Sequence, residues 1–231
     1  FATYAQDASD DDPRRAEARF RLAQVFQAEN DLATAISLYR QLTGGGGLGS
    51  SPLADRSIVP LAVCSLRDGI ADNDQSAEDL LVNVVTGGVI QPDSEIYRDA
   101  IVELGELMHR TGRFPLAIRY LDEVVNRYPD HERLMVLRFK LADSNRGSAH
   151  QIDGELRESM PPERRDELLR LRRDRLAVAA GLFQAVLDSP GASGGHGLSS
   201  GEALAQRNAM FYVADIAFEQ HQRGAAGHDF A

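Results

Sequence analysis

A large apolar residue followed at once by a small one, with glycine or asparagine seven positions after the small one, recurs along this 231-residue chain. The pattern occurs as Leu22-Ala23 with Asn30, Leu61-Ala62 with Gly69, Leu104-Gly105 with Gly112 and Ile216-Ala217 with Gly224. Phe139-Lys140 with Gly147 keeps the spacing and loses the small residue. A small side chain on one helix lets a second helix approach closely, and glycine or asparagine supplies the left-handed backbone that reverses the chain. The stretch that follows answers with its own small residue and a bulky one four later: Ala35 and Tyr39, Ala77 and Leu81, Ala117 and Leu121. The pattern therefore predicts antiparallel helix pairs nested by ridge packing.

Local punctuation agrees with helices throughout. Asp12-Pro13 reads as a cap followed by proline at the first helical position and opens a helix to about Ala28. Asp31 opens a helix through Leu42, Ser51-Pro52 one to about Asp68, Ser76 one through Val85 and Asp93 one through His109. Further helices are predicted at about 113–127, 131–146, 149–159, 162–188 and 201–222. β-branched clusters such as Val82-Asn83-Val84-Val85 are short and isolated, so the class is all-α.

Within this frame the residues resemble the tetratricopeptide repeat family. Tyr97 to Asp130, "YRDAIVELGELMHRTGRFPLAIRYLDEVVNRYPD", looks like a nearly complete unit, with Leu104, Gly105, Gly112, Ala117, Leu121 and Pro129 in family positions. Ala16 to about Leu42 matches at Leu22, Ala23, Phe26, Ala35 and Tyr39, and 52–88 fits with about three residues inserted between its helices. The resemblance implies a right-handed α-solenoid. Its repeats would occupy residues 1–160 as pairs at about 13–43, 52–88, 93–128 and 131–160. A divergent extension at 161–231 would hold one long helix and a Gly/Ser-rich loop in the same solenoid. Both ends read as interrupted repeats of a longer array.

The resemblance further implies that the first helices line a concave groove for a peptide or helix of another protein. By alignment the groove positions are Phe20, Gln24 and Gln27, then Val59, Val63 and Leu66, then Val102, Glu106 and His109. The lysine and asparagine of the family's carboxylate clamp are absent, which argues against capture of an acidic chaperone tail. The implied role is a non-catalytic scaffold like the repeat modules of bacterial envelope-assembly proteins, with a cell-envelope or periplasmic setting. Its partner would be another protein or a second copy of the chain. The alternative is a regulatory or substrate-holding segment of a larger multidomain enzyme.

Other chemistries find little footing. A net charge of −10 repels a polyanion, so nucleic acid is not expected as a partner. The single cysteine, Cys64, excludes an internal disulfide or a zinc cluster. No apolar run approaches the roughly 20 residues of a membrane span. The six histidines form no HExxH and no i, i+4 pair, so no metal is expected. The acidic clusters Asp7 to Asp12 and Asp72 to Asp74 read as helix starts, since the ligand ladder of a calcium loop is missing.

Gly44, Gly46 and Gly49 in "TGGGGLGSS" satisfy G-x-G-x-x-G, but a helix rather than a strand leads into them. No cofactor is expected there, only a flexible connection. No nucleophile elbow or convergent titratable cluster marks an active site, and "SGGHGLSSGE" around His196 reads as a tether. "ERRDELLRLRRDR", Glu163 to Arg175, interleaves four acids with six arginines. Asp166 to Arg170 and Arg170 to Asp174 fall at i, i+4, so it reads as a solvated, pair-laced helix face.

Overall fold

The computed structural model describes residues 13–44, 51–189 and 197–228. Among them stand nine α-helices and no strand. In chain order they are α1 (Pro13–Ala28), α2 (Leu32–Thr43), α3 (Pro52–Arg67), α4 (Ala71–Thr86), α5 (Glu95–Arg110), α6 (Phe114–Arg127), α7 (Leu134–Glu155), α8 (Pro162–Leu187) and α9 (Ser200–His228). The chain forms two compact units, Phe1–Leu104 and Gly105–Ala231, with the boundary inside α5.

Where the large-small pattern is intact, the structure follows it closely. Asn30, Gly69 and Gly112 hold φ of 62°, 77° and 71°, the left-handed values that turn the chain after α1, α3 and α5. Ala23 and Ala62 on the first helices are fully buried, as are Ala35 with Tyr39, Ala77 with Leu81 and Ala117 with Leu121 on the second. At Gly105 the second helix comes up against the backbone itself. A Cβ there would lie 2.8 Å from Leu121 Cδ2, so only glycine admits this packing. Burying aliphatic side chains of this size contributes about 1.5–3 kcal/mol each.

The core of the first unit gathers Phe20, Ala23, Ala35, Ile36, Tyr39, Leu61 and Cys64 from α1, α2 and α3. Tyr39 is fully buried, yet its hydroxyl lies 2.9 Å from Gln27 Oε1 and donates to it. Burial, with the neighbouring Cys64, pushes the Tyr39 hydroxyl up to about 12. Burial likewise pushes the Cys64 thiol up to about 11. Caps fix the helix starts: Asp31 accepts from Thr34 N at 3.2 Å, and Ser51 Oγ from Ala54 N at 3.1 Å. Pro60, inside α3, has no N–H to offer the carbonyl one turn back, and the helix continues through it.

Four boundaries differ from the sequence expectation. Helix α4 begins at Ala71, five residues before Ser76. Asp72 and Asp74 occupy its first turn and complement the helix dipole, while Ser76 Oγ donates to the Asp72 carbonyl inside the helix. Ser94 rather than Asp93 caps α5, its hydroxyl accepting from Tyr97 N at 3.2 Å.

Residues 131–160 do not form a pair: α7 is one unbroken helix, and its antiparallel partner is α8. Gly147, expected to end a helix, sits buried within α7, where a Cβ would fall 2.5 Å from the Phe114 ring. Finally α9 runs through 224 to His228, and Ala217 on it is exposed, so the pattern at Ile216-Ala217 marks no helix pair.

The last three helices pack by other means. Met135, Ala142 and Ala149 of α7 meet Leu176, Ala179, Phe183 and Val186 of α8 and Ala205, Ala209 and Ile216 of α9. Ring centroids of Phe139, Phe183 and Tyr212 lie 5.3–6.3 Å apart, within the range of favourable aromatic pairs. Helix α9 opens on a reciprocal cap, in which Ser199 Oγ accepts from Glu202 N while Glu202 Oε2 accepts from Ser199 N at 2.9 Å. That backbone bond from Ser199 holds the Glu202 carboxyl below its ordinary value.

Candidate functional site

The groove expectation divides between the two units. On α1 and α3, Phe20 and Val59 are 3% and 8% exposed and belong to the interior. Phe20 meets Tyr39 edge-on at 6.0 Å and carries the Arg56 guanidinium 4.9 Å from its ring centroid. Val102 on α5 is 3% exposed. These three side chains are therefore corrected from groove lining to core, because the close helix approach encloses them. Gln24 is exposed, while Gln27, Val63 and Leu66 are half-buried, with Gln27 held by the Tyr39 hydroxyl.

In the second unit, Glu106 and His109 on α5 face α7. Glu106 accepts from Arg133 Nη2 at 2.6 Å and from Lys140 Nζ. His109 Nε2 lies 2.9 Å from Asp143 Oδ2, and Asp143 Oδ1 accepts from both Nε and Nη2 of Arg146 at 3.1 and 2.8 Å. The Arg146 guanidinium then stands 4.1 Å from the Tyr212 ring centroid on α9, a close cation–π contact. The same ring stacks on Phe139 and touches Phe183 and the exposed Phe211. Polar and aromatic groups thus form one continuous strip over α5, α7 and α9.

Burial alone would push both carboxyls of this strip up. For Glu106 the hydrogen bonds and charges of Arg133 and Lys140 outweigh burial and hold it below its usual value. His109 and Arg146 do the same for Asp143. Side-chain exposures of 15% for Glu106, 20% for Asp143, 27% for Lys140 and 19% for Arg146 keep these groups within reach of a partner while fixing their rotamers. Three full cations, Arg133, Lys140 and Arg146, face the two carboxylates Glu106 and Asp143.

Sequence reasoning singled out Glu106 and His109 and missed Arg133, Phe139, Lys140, Asp143, Arg146 and Tyr212. It also missed Arg172, which is 5% exposed and binds Asp153 of α7 at 2.7 Å and Glu219 of α9. Burial opposes the charge of Arg172, and the two carboxylates overcome it and raise its affinity for the proton. The signal was present, since Leu168, Arg172, Leu176, Ala179, Phe183 and Val186 share one helical phase and are all buried.

The expected ladder of Asp166, Arg170 and Asp174 is not the pairing that forms. Those three side chains are exposed, and Arg164 instead pairs with Glu167 at 2.7 Å, while Arg175 donates to Asn145 Oδ1 at 3.2 Å.

Among the described residues no group of three or more His, Cys, Asp or Glu is placed to hold a metal ion, and no helix is long and apolar enough to cross a membrane. Gly44 closes α2, and α3 begins at Pro52, so helices flank the glycine run; Gly45 to Ser50, Pro190 to His196 and Asp7 to Asp12 lie outside the described residues.

The tetratricopeptide repeat profile matches residues 17–44 and 99–131. These segments overlap the two units read as closest to the family, Ala16 to about Leu42 and Tyr97 to Asp130. No curated protein matches the chain. Among solved structures, a Podosopora anserina chain assigned as a kinesin light chain, with nearly identical TPR-like repeats, is 16% identical. It superposes with a TM-score of 0.51 over 91% of this chain and 98% of its own length. At that identity the likeness speaks of fold alone. Repeats of this family generally mediate protein–protein interaction. The chain is a tetratricopeptide-like helical repeat, with the family's sequence signature in α1–α2 and α5–α6.

Proposed function

We propose that the chain is a non-catalytic protein-binding module and that its second unit receives a partner segment along the strip formed by Glu106, His109, Lys140, Asp143, Arg146 and Tyr212. The observation that carries this reading is the mutual pairing of those charges at partial exposure. Long side chains on an open surface lose about 0.5–1.5 kcal/mol each when a partner immobilises them. Here Glu106, Lys140, Asp143 and Arg146 are already held by one another, so a bound segment meets a prearranged set of donors and acceptors. Tyr212 with Phe139 offers apolar area beside these paired charges. In the first unit, Gln24, Gln27, Val63 and Leu66 are proposed as a separate contact patch.

Photo-crosslinking side chains placed singly at Gln24, Val63 and Lys140, with Leu116 on the second helix α6 as the reference, test the assignment in cells. The same protein should be captured from the first-helix positions and not from Leu116. Equal capture from Leu116 would show that the first-helix faces are not the binding surface.

A further inference from the structure

Helix α9 has two apolar faces, and only one of them is used. Ala205, Ala209 and Ile216 are buried against α7 and α8. On the opposite side Leu204, Phe211 and Phe218 are 47%, 65% and 61% exposed, and Met210 beside them 66%. Leu204, Phe211 and Phe218 follow one another at seven-residue intervals, which places them along one line of the helix. Ala203 and Ala214 on this face are also exposed and small enough to let another helix approach. A row of large side chains standing open to water marks an association surface.

The charges beside this row point to the occupant. Arg207 stands four residues before Phe211 and Asp215 four after it; both are exposed and neither is paired within the described chain. A two-fold axis through Phe211 brings a second α9 antiparallel to the first. Leu204 then meets Phe218 of the other copy, Phe211 meets Phe211, and Arg207 meets Asp215 twice over. A parallel arrangement would oppose Arg207 to Arg207 and Asp215 to Asp215. The surface is thus complementary to itself in one orientation, which is the requirement of a two-fold interface.

We infer that two copies of the chain associate through antiparallel α9 helices centred on Phe211. Four turns of paired helix bury on the order of 1,000 Å² in total, at the low end of specific interfaces, where weak and reversible contacts are found.

Sedimentation velocity on the intact chain between about 1 and 300 µM reads the equilibrium directly. The wild type is expected to pass from monomer to dimer in this range, and Phe211→Asp to weaken association about 30-fold or more by burying a charge at the axis. Arg207→Asp and Asp215→Arg should each weaken it about 10-fold by opposing like charges. Mixing those two single variants, or joining both changes in one chain, should restore it to within about 2-fold. All three positions are exposed, so circular dichroism and the melting midpoint should stay close to wild type.

A monomer at every concentration overturns the proposal and leaves this face to a following helix or a different protein. A dimer unchanged by Phe211→Asp, or charge reversal without rescue, overturns it equally.

Discussion

The α5–α6 pair and the α7–α8 pair solve the same problem with different materials. In the first, a glycine without a side chain lets fully buried Leu121 settle against the helix at Gly105. In the second, Asp153, Arg172 and Asn145 with Arg175 cross the interface as hydrogen-bonded polar groups, and a cluster of rings fills the remaining volume. Close approach makes the first pair depend on shape. Charge makes the second dependent on every partner being present, because a buried ion that loses its counterion costs far more than the intact pair contributes.

The strongest challenge to this contrast is Arg172. Arg172→Met leaves Asp153 and Glu219 facing an apolar group and should cost about 3 kcal/mol in chemical denaturation. Adding Asp153→Asn and Glu219→Gln should recover most of that loss, since replacing a whole ion set is nearly neutral.

Gly105→Ala comes next, at about 2 kcal/mol, because fully buried Leu121 has no room to give way. Gly147→Ala should cost well under about 1 kcal/mol. Its obstacle is the outer edge of half-buried Phe114, and alanine recovers helix propensity. Equal costs at the two glycines would erase the distinction between a locked and a yielding contact.

Acid sharpens the comparison further. Glu106 and Asp143 are held below their ordinary values, so their stabilisation is complete above the unfolded carboxylate range of about 4. It is lost as pH falls through the lower folded-state values. Melting of the second unit should fall between pH 5 and 3. The Glu106→Gln, Asp143→Asn double variant should start about 1–2 kcal/mol lower at pH 7 and lose less on acidification.

The smallest effect is at Tyr39→Phe, about 1 kcal/mol for the bond to Gln27. Wild-type stability should also decline as pH rises from 10 towards 12, because the unfolded hydroxyl ionises before the folded one. Tyr39→Phe should remove the part of that decline due to Tyr39 and leave the part due to Cys64, whose thiol is raised in the same direction.

Much of α1 to α6 was legible because its packing is written in side-chain size. Ala35, Ala77 and Ala117 announce where helices touch, and Asn30, Gly69 and Gly112 announce where they turn. The same code misled at Gly147, where the glycine lies beneath an approaching ring rather than at a reversal. It misled again at Ile216-Ala217, where the small residue faces water.

For the candidate site, alignment found Glu106 and His109 by helix phase. It could not find Lys140, Asp143 and Arg146, because their partners lie 34 residues away for Lys140 with Glu106 and on another helix for Arg146 with Tyr212. Phe20, Val59 and Val102 lie on groove-facing turns and were enclosed by neighbours whose proximity no local pattern encodes.

Cys64, sealed in the first core with its thiol at about 11, has a practical corollary for all of these experiments. At neutral pH only on the order of one molecule in ten thousand carries the reactive thiolate. Maleimide dyes and spin labels will therefore pass over it, and a cysteine introduced at Gln24 or Arg207 can be tagged selectively without first removing the native one. Distance measurements within the chain and between copies can begin from the unaltered protein.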